Sequence, residues 1–451
     1  MMQKIVSLAK RRGFIFPSSE IYGGVEALWD YGPLGALLKN NVKKEWLKTF
    51  VREMENVALI DGSILMHPKV WKVSGHEKNF TDALVECKGC HSRFRADHME
   101  EGRFVGEEKA KEKNQCPACG KKEFTDPKNF NLMFKTYLGP VEDVKNVTYL
   151  RPETAQSMFT NFKLVQETMR FKIPFGIAQV GKSFRNEITT GNFTFRSREF
   201  EIAELEYFVN PKDADKEFDI WVDRWEQFFL DMGLKKENLR RYEHPKKSLA
   251  HYSKRTVDIE YKFPFGWAEL AGVANRGDFD LKQHAEGSGQ DLQYFNEATK
   301  EKYYPYVIEP TLGIERLVLA LLIDAYEEVE GGRTTTTEST KKLEVVLKLH
   351  KKLAPIQVAV FPLVKNKLEL VKKAREVFDM LKEHFEVQYD ETGAIGRRYR
   401  RQDEIGTPYI ITVDVESLEN NDVTLRERDT MEQQRVSIKE LISVLSVKLN
   451  A

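Results

Sequence analysis

The sequence predicts an α+β protein in three parts: a large body of strands and helices, a small cysteine-rich insertion, and a C-terminal α/β module. Three observations predict it. Segments near 175–187 and 194–208 read as two strands joined by a turn, and further strands are expected near 256–262 and 266–274. All four cysteines fall within the charged stretch 86–125. EEVEGGRTTTTESTKK (327–342) has no apolar periodicity and separates the body from a last run of alternating strand and helix signals. The expected boundaries are 1–85 with 126–330 for the body, 86–125 for the insertion, 331–352 for a linker and 353–451 for the C-terminal domain.

Composition narrows the function classes. The 451 residues are 41% hydrophobic and 31% charged, an ordinary globular balance rather than a disordered one. No apolar run approaches the roughly 18–20 residues of a spanning helix, so no membrane role is expected. The first residues, MMQKIVSLAKRRGF, lack the order and length of a secretory signal, and a cytoplasmic protein is expected. Formal net charge is zero, so a pull on nucleic acid would have to come from local clusters such as GRRYRRQ (396–402).

Taken in order, Leu37, Leu38, Val42, Trp46 and Phe50 repeat at helical spacing and predict a helix over about 36–54, after the turn DYGPLG (30–35). SILM (63–66) reads as a short strand closed by Pro68. LVLALLIDAY belongs to an apolar helix over about 313–327. In the last part, QVAVFPLV (357–364), a helix near 366–384, FEVQYD (385–390), a turn, YIITVDV (409–415), VTLRERD (423–429) and a final helix make the module.

The chemistry concentrates in GKSFRNEITTGNFTFRSREFEIAELEYF (181–208). Alternate residues of a strand share a face, which groups Arg185 with Glu187, and Arg196, Arg198, Phe200, Ile202, Glu204 and Glu206 on the return strand. Gly191 and Asn192 suit the turn. Arginines fork onto phosphate oxygens, Phe200 offers a surface for a base, and Glu187 can accept from an exocyclic amine. A charged edge hairpin with cross-strand pairs is the plain alternative. EPTLGIERLVLALL (309–322) adds Gly313 and Arg316 at the start of an apolar helix, where backbone N–H groups and an arginine can meet an anion.

With these residues in hand, the hairpin resembles motif 2 of class II aminoacyl-tRNA synthetases and GIER resembles motif 3, while DGSILMHPKVW (61–71) stands where motif 1 is expected. RRGFIFPSSEIYGGVEALWDYGPLG (11–35), RPETAQ (151–156), GWAELAGVANRGDFDL (266–281) and IGRRYRRQDEIGTPY (395–409) resemble the dimeric glycyl-tRNA synthetases. The resemblance covers nearly the whole chain apart from the linker and the cysteine region. It implies a class II antiparallel-sheet catalytic domain, a C-terminal anticodon-binding domain, a homodimer, and activation of glycine with ATP and Mg²⁺ before transfer to tRNA(Gly).

Residue by residue, the resemblance implies that Arg185 meets the ATP α-phosphate and the activated carboxyl, that Glu187 reads the adenine amine and that Phe200 stacks on the ring. Arg316 is the expected γ-phosphate ligand, and Arg185 and Arg316 are the catalytic pair. Asn186, Phe195, Arg196, Ser197, Arg198 and Glu199 lie in the ATP-contacting segment of motif 2; Gly313, Ile314 and Glu315 lie in that of motif 3. Glu269 and Leu270 match another nucleotide-contacting pair, with Glu269 a Mg²⁺ or ribose partner. Charge neutralisation and positioning suffice for adenylate formation, and no general base is expected.

For glycine, the resemblance puts Glu153, Glu204 and Glu309 around the ammonium, with Arg95 near the substrate and Thr311 beside it. Phe200, Glu201, Ile202 and Ala203, and then Pro310, Leu312 and Gly313, complete the expected walls. Larger amino acids would be refused by filled space. Thr311 stands where the family often has Ser, and Ala203 where it often has Met.

CKGCHSRFRADH (87–98) and NQCPACGKKEF (114–124) hold two CxxC pairs, and Cys87, Cys90, Cys116 and Cys119 suit a structural tetrahedral Zn²⁺. The gap between the pairs is longer than usual. His91 is an alternative ligand, disulfides are a further alternative disfavoured in a cytosolic chain, and a nucleic-acid-binding ribbon stays open. Arg397, Arg398, Arg400 and Arg401 read either as a solvated run or, beside Tyr399 and Tyr409, as a surface for tRNA phosphates and stacked bases. The rival to an enzyme is a synthetase-derived binding protein that has lost the reaction; the arginines and acids it would have lost are present.

Overall fold

The computed structural model describes residues 1–96, Met99, 113–188, 191–250, 252–330 and 343–450. Its centre is a seven-stranded sheet made of β1 (Val57–Leu59), β2 (Phe175–Phe184), β3 (Glu199–Val209), β4 (Leu239–Glu243), β5 (Arg255–Phe263), β6 (Gly266–Gly277) and β7 (Tyr306–Gly313). The spatial order is β4-β5-β6-β7-β3-β2-β1. All neighbours are antiparallel except β1, which runs parallel to β2.

Period-two alternation gives β3 two different faces. Ala203, Leu205, Tyr207 and Val209 enter the main apolar core. That core is closed by helices, of which α1 (Met2–Arg12) and α2 (Pro33–Leu47) come first. Leu38, Val42 and Trp46, spaced by four, are fully buried along α2, and a π turn carries the helix on to Arg52. α2 begins with Pro33 in its first turn and packs hard on the preceding loop: a Cβ at Gly35 would lie 1.8 Å from the Phe14 carbonyl oxygen. The opposite face of β3 carries Phe200, Ile202, Glu204 and Glu206, and only at Phe208 does it turn apolar again, against α3 (Ala155–Thr160).

α4 (Ala214–Asp231) supplies Trp221, Trp225 and Phe228, which meet Phe50 in one aromatic cluster. α5 (Phe279–Ser288) covers the far end of the polar face, and α6 (Ile314–Ala325) runs straight on from β7. The C-terminal unit has its own core. β8 (Val358–Pro362), β9 (Val387–Tyr389), β10 (Tyr409–Val413), β11 (Asp422–Glu427) and β12 (Gln433–Ser437) are ordered β9-β8-β10-β11-β12. α7 (Leu368–Leu381) and α9 (Leu441–Asn450) fill one side and α8 (Ile395–Ile405) the other.

The α+β class holds, and four local expectations do not. The strand expected at 63–66 is instead β1 at Val57–Leu59; 63–66 makes only the isolated bridge Leu65–Leu150, and Pro68 opens a helix to Val73. The return strand of the hairpin starts at Glu199, so Arg196 and Arg198 do not share a pleated face with Phe200. The stretch expected as linker begins inside structure: Tyr326–Glu330 pairs with Leu343–Leu347, and only 331–342 lies outside the described residues. What read as a turn before YIITVDV contains α8, whose buried positions are mostly polar, so no apolar period marks it. The hairpin tip residues Thr189 and Thr190 and the insertion residues 100–112 also lie outside the described residues.

Candidate active site

A cavity opens on the polar face where β3, β6 and β7 meet the first turn of α6. Arg185, Glu187, Phe195, Arg196, Phe200, Glu269 and Arg316 line it, with Thr194, Ser197, Ile202, Thr311, Gly313 and Glu315. Arg185 donates from Nε to the Pro152 carbonyl at 3.0 Å, and its guanidinium lies 5.4 Å from the ring centres of both Phe80 and Phe200. Arg316 sits 4.6 Å over the Phe195 ring and reaches the Glu269 carboxylate at 3.0 Å. Arg316 therefore holds the Glu269 carboxyl below its ordinary range.

Arg196 and Glu187 are 4.0 Å apart, and among the described residues Arg196 Nη1 and Glu187 Oε2 are buried without a hydrogen-bond partner. Buried polar atoms normally find one. Two such atoms of opposite sign on the wall of one cavity fit a polar ligand that donates to one and accepts from the other.

Deeper along the same strands lies an acidic nest. Antiparallel register puts Glu204 beside Thr311 on β7 and beside Gln179 on β2, while Glu309 pairs with Ala274 on β6. Glu153 enters from the loop before α3, and all three acids are buried. Glu204 accepts from the Thr154 backbone N–H at 2.7 Å and from the Thr154 hydroxyl. Burial, and after it the charge of Glu153, pushes the Glu204 carboxyl up. Glu153 goes the other way: against the cost of burial, His76 at 3.3 Å and Arg276 hold it well below the carboxylate range. Glu309 is pushed up to about 8, first by burial and then by Glu204, Glu153 and Asp280, although Arg276 donates to it at 2.9 Å. One cation shared with Asp280 does not offset that many carboxyls.

The expected residues thus divide. Arg185, Glu187, Phe195, Arg196, Ser197, Phe200, Glu269, Gly313, Glu315 and Arg316 share the cavity wall. Alternation turns the side chains of Glu199, Glu201 and Ala203 to the other face of β3: Glu199 pairs with Lys182, Glu201 with Lys39 and Lys43, and Ala203 is in the core. Leu270 and Leu312 are core side chains for the same reason, Ile314 enters the core from the start of α6, and Pro310 is buried between Glu309 and Thr311. Arg198 points away, donating to the Glu26 carbonyl at 2.9 Å, and Asn186 is held by its backbone N–H to Leu132. Arg95 stands 2.8 Å from Asp82 and close enough to Arg196 to act on its charge.

Several members of the site were not singled out by sequence reasoning. Arg276, buried at 1% exposure, forks onto Asp280 and reaches Glu309; Gln156 joins Glu153 to Asp280; His284 holds Gln156. Nothing in the mixed polar segments NRGDFDL and ETAQSMF sets Arg276, Asp280 or Gln156 apart from ordinary surface residues.

The four cysteines converge away from this cavity. All four Sγ atoms lie within 4.8 Å of one another, with Cys87–Cys119 and Cys90–Cys116 at 3.6 Å. Thiolates at about 2.3 Å from a tetrahedral zinc are about 3.8 Å apart, so the set fits. His91 does not: its ring turns outward to Glu86 at 3.1 Å.

Three of the four C-terminal arginines are tied into the fold, which leaves Arg397 the most exposed of them to a nucleic acid. Arg398 is 1% exposed and donates to the carbonyls of Pro362 and Leu363; Arg401 binds Asp390; Arg400 faces Glu344. Tyr409 is buried, and Tyr399 is half-buried, its hydroxyl bonded to Thr412 at 2.6 Å and its ring 5.0 Å from the Arg426 guanidinium. Arg397 alone of the four is exposed.

Known proteins bear on the same geometry. The family model described as the tRNA synthetase class II core domain (G, H, P, S and T) matches residues 134–326, and that of the anticodon binding domain matches 357–448. The chain is 52% identical over 455 residues to the glycine–tRNA ligase of Streptomyces coelicolor, covering 99% of this chain and 98% of that one. To the glycine–tRNA ligase of Clostridium perfringens it is 52% identical over 467 residues, with the same coverage. A solved prolyl-tRNA synthetase from Cryptosporidium parvum shares the fold at TM-score 0.65 and 15% identity, covering 99% of this chain and 76% of that one. A polar-faced antiparallel sheet, a cationic cavity beside an acidic nest, and identity of this extent have one common reading: the chain belongs to the glycine–tRNA ligase family of class II tRNA synthetases.

Proposed function

We propose that this chain ligates glycine to tRNA(Gly) in two steps. The glycine carboxylate attacks the α-phosphorus of ATP to give glycyl-adenylate with loss of pyrophosphate. A hydroxyl of the terminal ribose at the tRNA 3′ end then takes the glycyl group and AMP leaves. One observation carries the proposal: Arg185, Arg196 and Arg316 line a cavity that shares its β3 and β7 walls with the nest of Glu153, Glu204 and Glu309. A triphosphate needs the first and an ammonium the second.

Arg185 lies between the two, acting on the charge of Glu204 while facing Phe200, and suits the α-phosphate next to the glycyl carboxylate. Charge gathers there as the bond forms, and a fixed guanidinium stabilises it most at that moment. Phe200 is a ring for adenine to rest on, and Glu187 suits its amine. Arg316 suits the far phosphate, and the Glu269 carboxylate beside it is an oxygen donor of the kind Mg²⁺ takes. Bound there, Mg²⁺ would supply neutralisation of phosphate charge. Thr311, at the join of cavity and nest, crowds the space where a side chain larger than hydrogen would sit.

Zn²⁺ at the four cysteines would be structural, tying the loops of 87–90 and 116–119 together. Metal analysis should find about one zinc per chain, lost in Cys116→Ser together with protease resistance of the insertion. Four free thiols also accord with a reducing, cytoplasmic setting. Among the described residues no helix is long and apolar enough to cross a membrane. The homodimer and the contact of the C-terminal domain with tRNA belong to the same proposal.

Glycine-dependent ATP–pyrophosphate exchange, run beside alanine and serine, tests it. Exchange with glycine and not with the other two is expected; no exchange with any of them favours a binding protein.

A further inference from the structure

Glu206 is fully buried, and among the described residues neither of its carboxyl oxygens has a hydrogen-bond donor. It lies on β3 two residues beyond Glu204, on the face that builds the acidic nest. The register that pairs Glu204 with Thr311 and Tyr207 with Ile308 sets Glu206 directly opposite Glu309. Side chains opposed across antiparallel strands have Cβ atoms about 5 Å apart, so two carboxyl groups meet there inside the protein. Glu206 is closed to solvent and Glu309 nearly so, and two buried like charges at that range do not both persist.

We propose that Glu206 and Glu309 share one proton in the ligand-free protein, and that the ammonium of glycine takes the place of this proton's charge on binding. The inference rests on the glycine-activating reading above. It gives Glu206 a role as a positioning residue, which acts on the ammonium through Glu309.

The groups around the pair support one proton and only one. From β3 comes Glu204, from the loop before α3 Glu153, and from α5 Asp280, all negative in sign. From β6 comes a buried cation, Arg276, divided between Asp280 and Glu309, and Tyr252 lies 3.9 Å from its guanidinium with the phenol kept neutral. His76 is spent on Glu153 and Thr154 on Glu204. Among the described residues nothing else is left to answer Glu206, and a proton on the pair does so. Burial followed by the charge of Glu309 pushes Glu206 well above the carboxylate range, in the same direction.

When an ammonium settles beside Glu309 it stabilises the ionised pair, and the proton passes to buffer. Release on binding makes glycine affinity rise with pH across the interval between the bound and free values of the pair, at most about tenfold per pH unit. Below that interval the pair stays protonated and binding is weakest.

Calorimetric titration of the full chain with glycine, in buffers of different ionisation enthalpy near pH 7.5, reads the proton directly. The expected result is release of a measurable fraction of a proton per glycine bound. Glu206→Gln keeps the shape and supplies a permanent N–H to Glu309, so it should bind glycine within a few-fold of the parent, release less, and flatten the fall of the glycine KM between about pH 6 and pH 8. Glycine binding without proton release in the parent chain overturns the inference and leaves the proposed function standing, even if the variant fails to fold. Equal release in parent and variant overturns it too, since the proton then sits elsewhere. No glycine binding at all sinks the proposed function instead.

Discussion

Arg316 and Glu269 face each other across the nucleotide cavity at 3.0 Å, an arginine from the first turn of α6 against a carboxylate from β6. Each is the other's counter-ion where a phosphate and a metal ion would otherwise be. On the proposed function a phosphate would take Arg316 and a metal ion Glu269, so ATP binding would part the pair.

Arg316→Ala should therefore fall hardest on ATP. Loss of one fixed donor to developing or bound charge costs about 3–4 kcal/mol, or roughly 100–1000-fold. The expected outcome is that loss in kcat/KM for ATP in pyrophosphate exchange, with the glycine KM nearly unchanged. Lysine at 316 should recover little, because its point charge reproduces neither the fork nor the packing on Phe195. An equal loss in both substrates' KM would assign Arg316 to overall architecture.

Arg276 makes the opposite case, a cation whose removal should unfold before it impairs. Its guanidinium, at 1% exposure, satisfies Asp280 through two bonds at 2.8 and 2.9 Å and the buried Glu309 through a third. Removing one partner of a buried pair costs about 3–5 kcal/mol, mainly because the other charge stays behind. Arg276→Met should lose that much in denaturant unfolding of the body. Adding Asp280→Asn should recover part of it, which a cavity effect alone would not allow.

In the C-terminal unit two adjacent arginines should behave differently. Arg398→Ala removes three hydrogen bonds from a buried guanidinium to backbone carbonyls and should destabilise this unit by about 2–4 kcal/mol. Arg397→Ala, one residue away and exposed, should change stability by less than about 0.5 kcal/mol. If α8 meets tRNA, Arg397→Ala should raise the KM for tRNA in charging while pyrophosphate exchange stays the same.

The difference between Arg397 and Arg398 shows what the sequence could and could not convey. Strand alternation put Phe200, Ile202 and Glu204 on one face from spacing alone, and the structure keeps them there. The same alternation correctly separates Glu201, but a contiguous motif tempts a reader to assign every residue in it to the site. Helix α8 was missed because its buried positions include Arg398, Gln402 and Asp403, polar residues satisfied by partners far along the chain. Apolar periodicity cannot register them. Arg276 was quoted in a motif yet not singled out, since only the tertiary meeting of β6, β7 and α5 reveals its three bonds.

Asp258 gives a pH test independent of the substrates. It lies on β5 with His244 Nε2 at 2.8 Å, and burial, then the charge of Glu269, pushes its carboxyl up to about 6 despite that histidine. In the unfolded chain an Asp titrates near about 3.9. Between these values the folded state holds the extra proton, so Asp258's contribution is fully present below about pH 3.9 and is lost as pH rises through about 6. At neutral pH the folded protein carries a buried carboxylate that the unfolded chain would solvate freely. Asp258→Asn removes that cost, keeps an acceptor for His244, and should stabilise the body by roughly 1–3 kcal/mol at pH 8 and by almost nothing near pH 4. Denaturant unfolding of both proteins at the two pH values checks this. A constant gap between them would mean that His244 already offsets the burial, leaving the carboxyl at its ordinary value in the folded state.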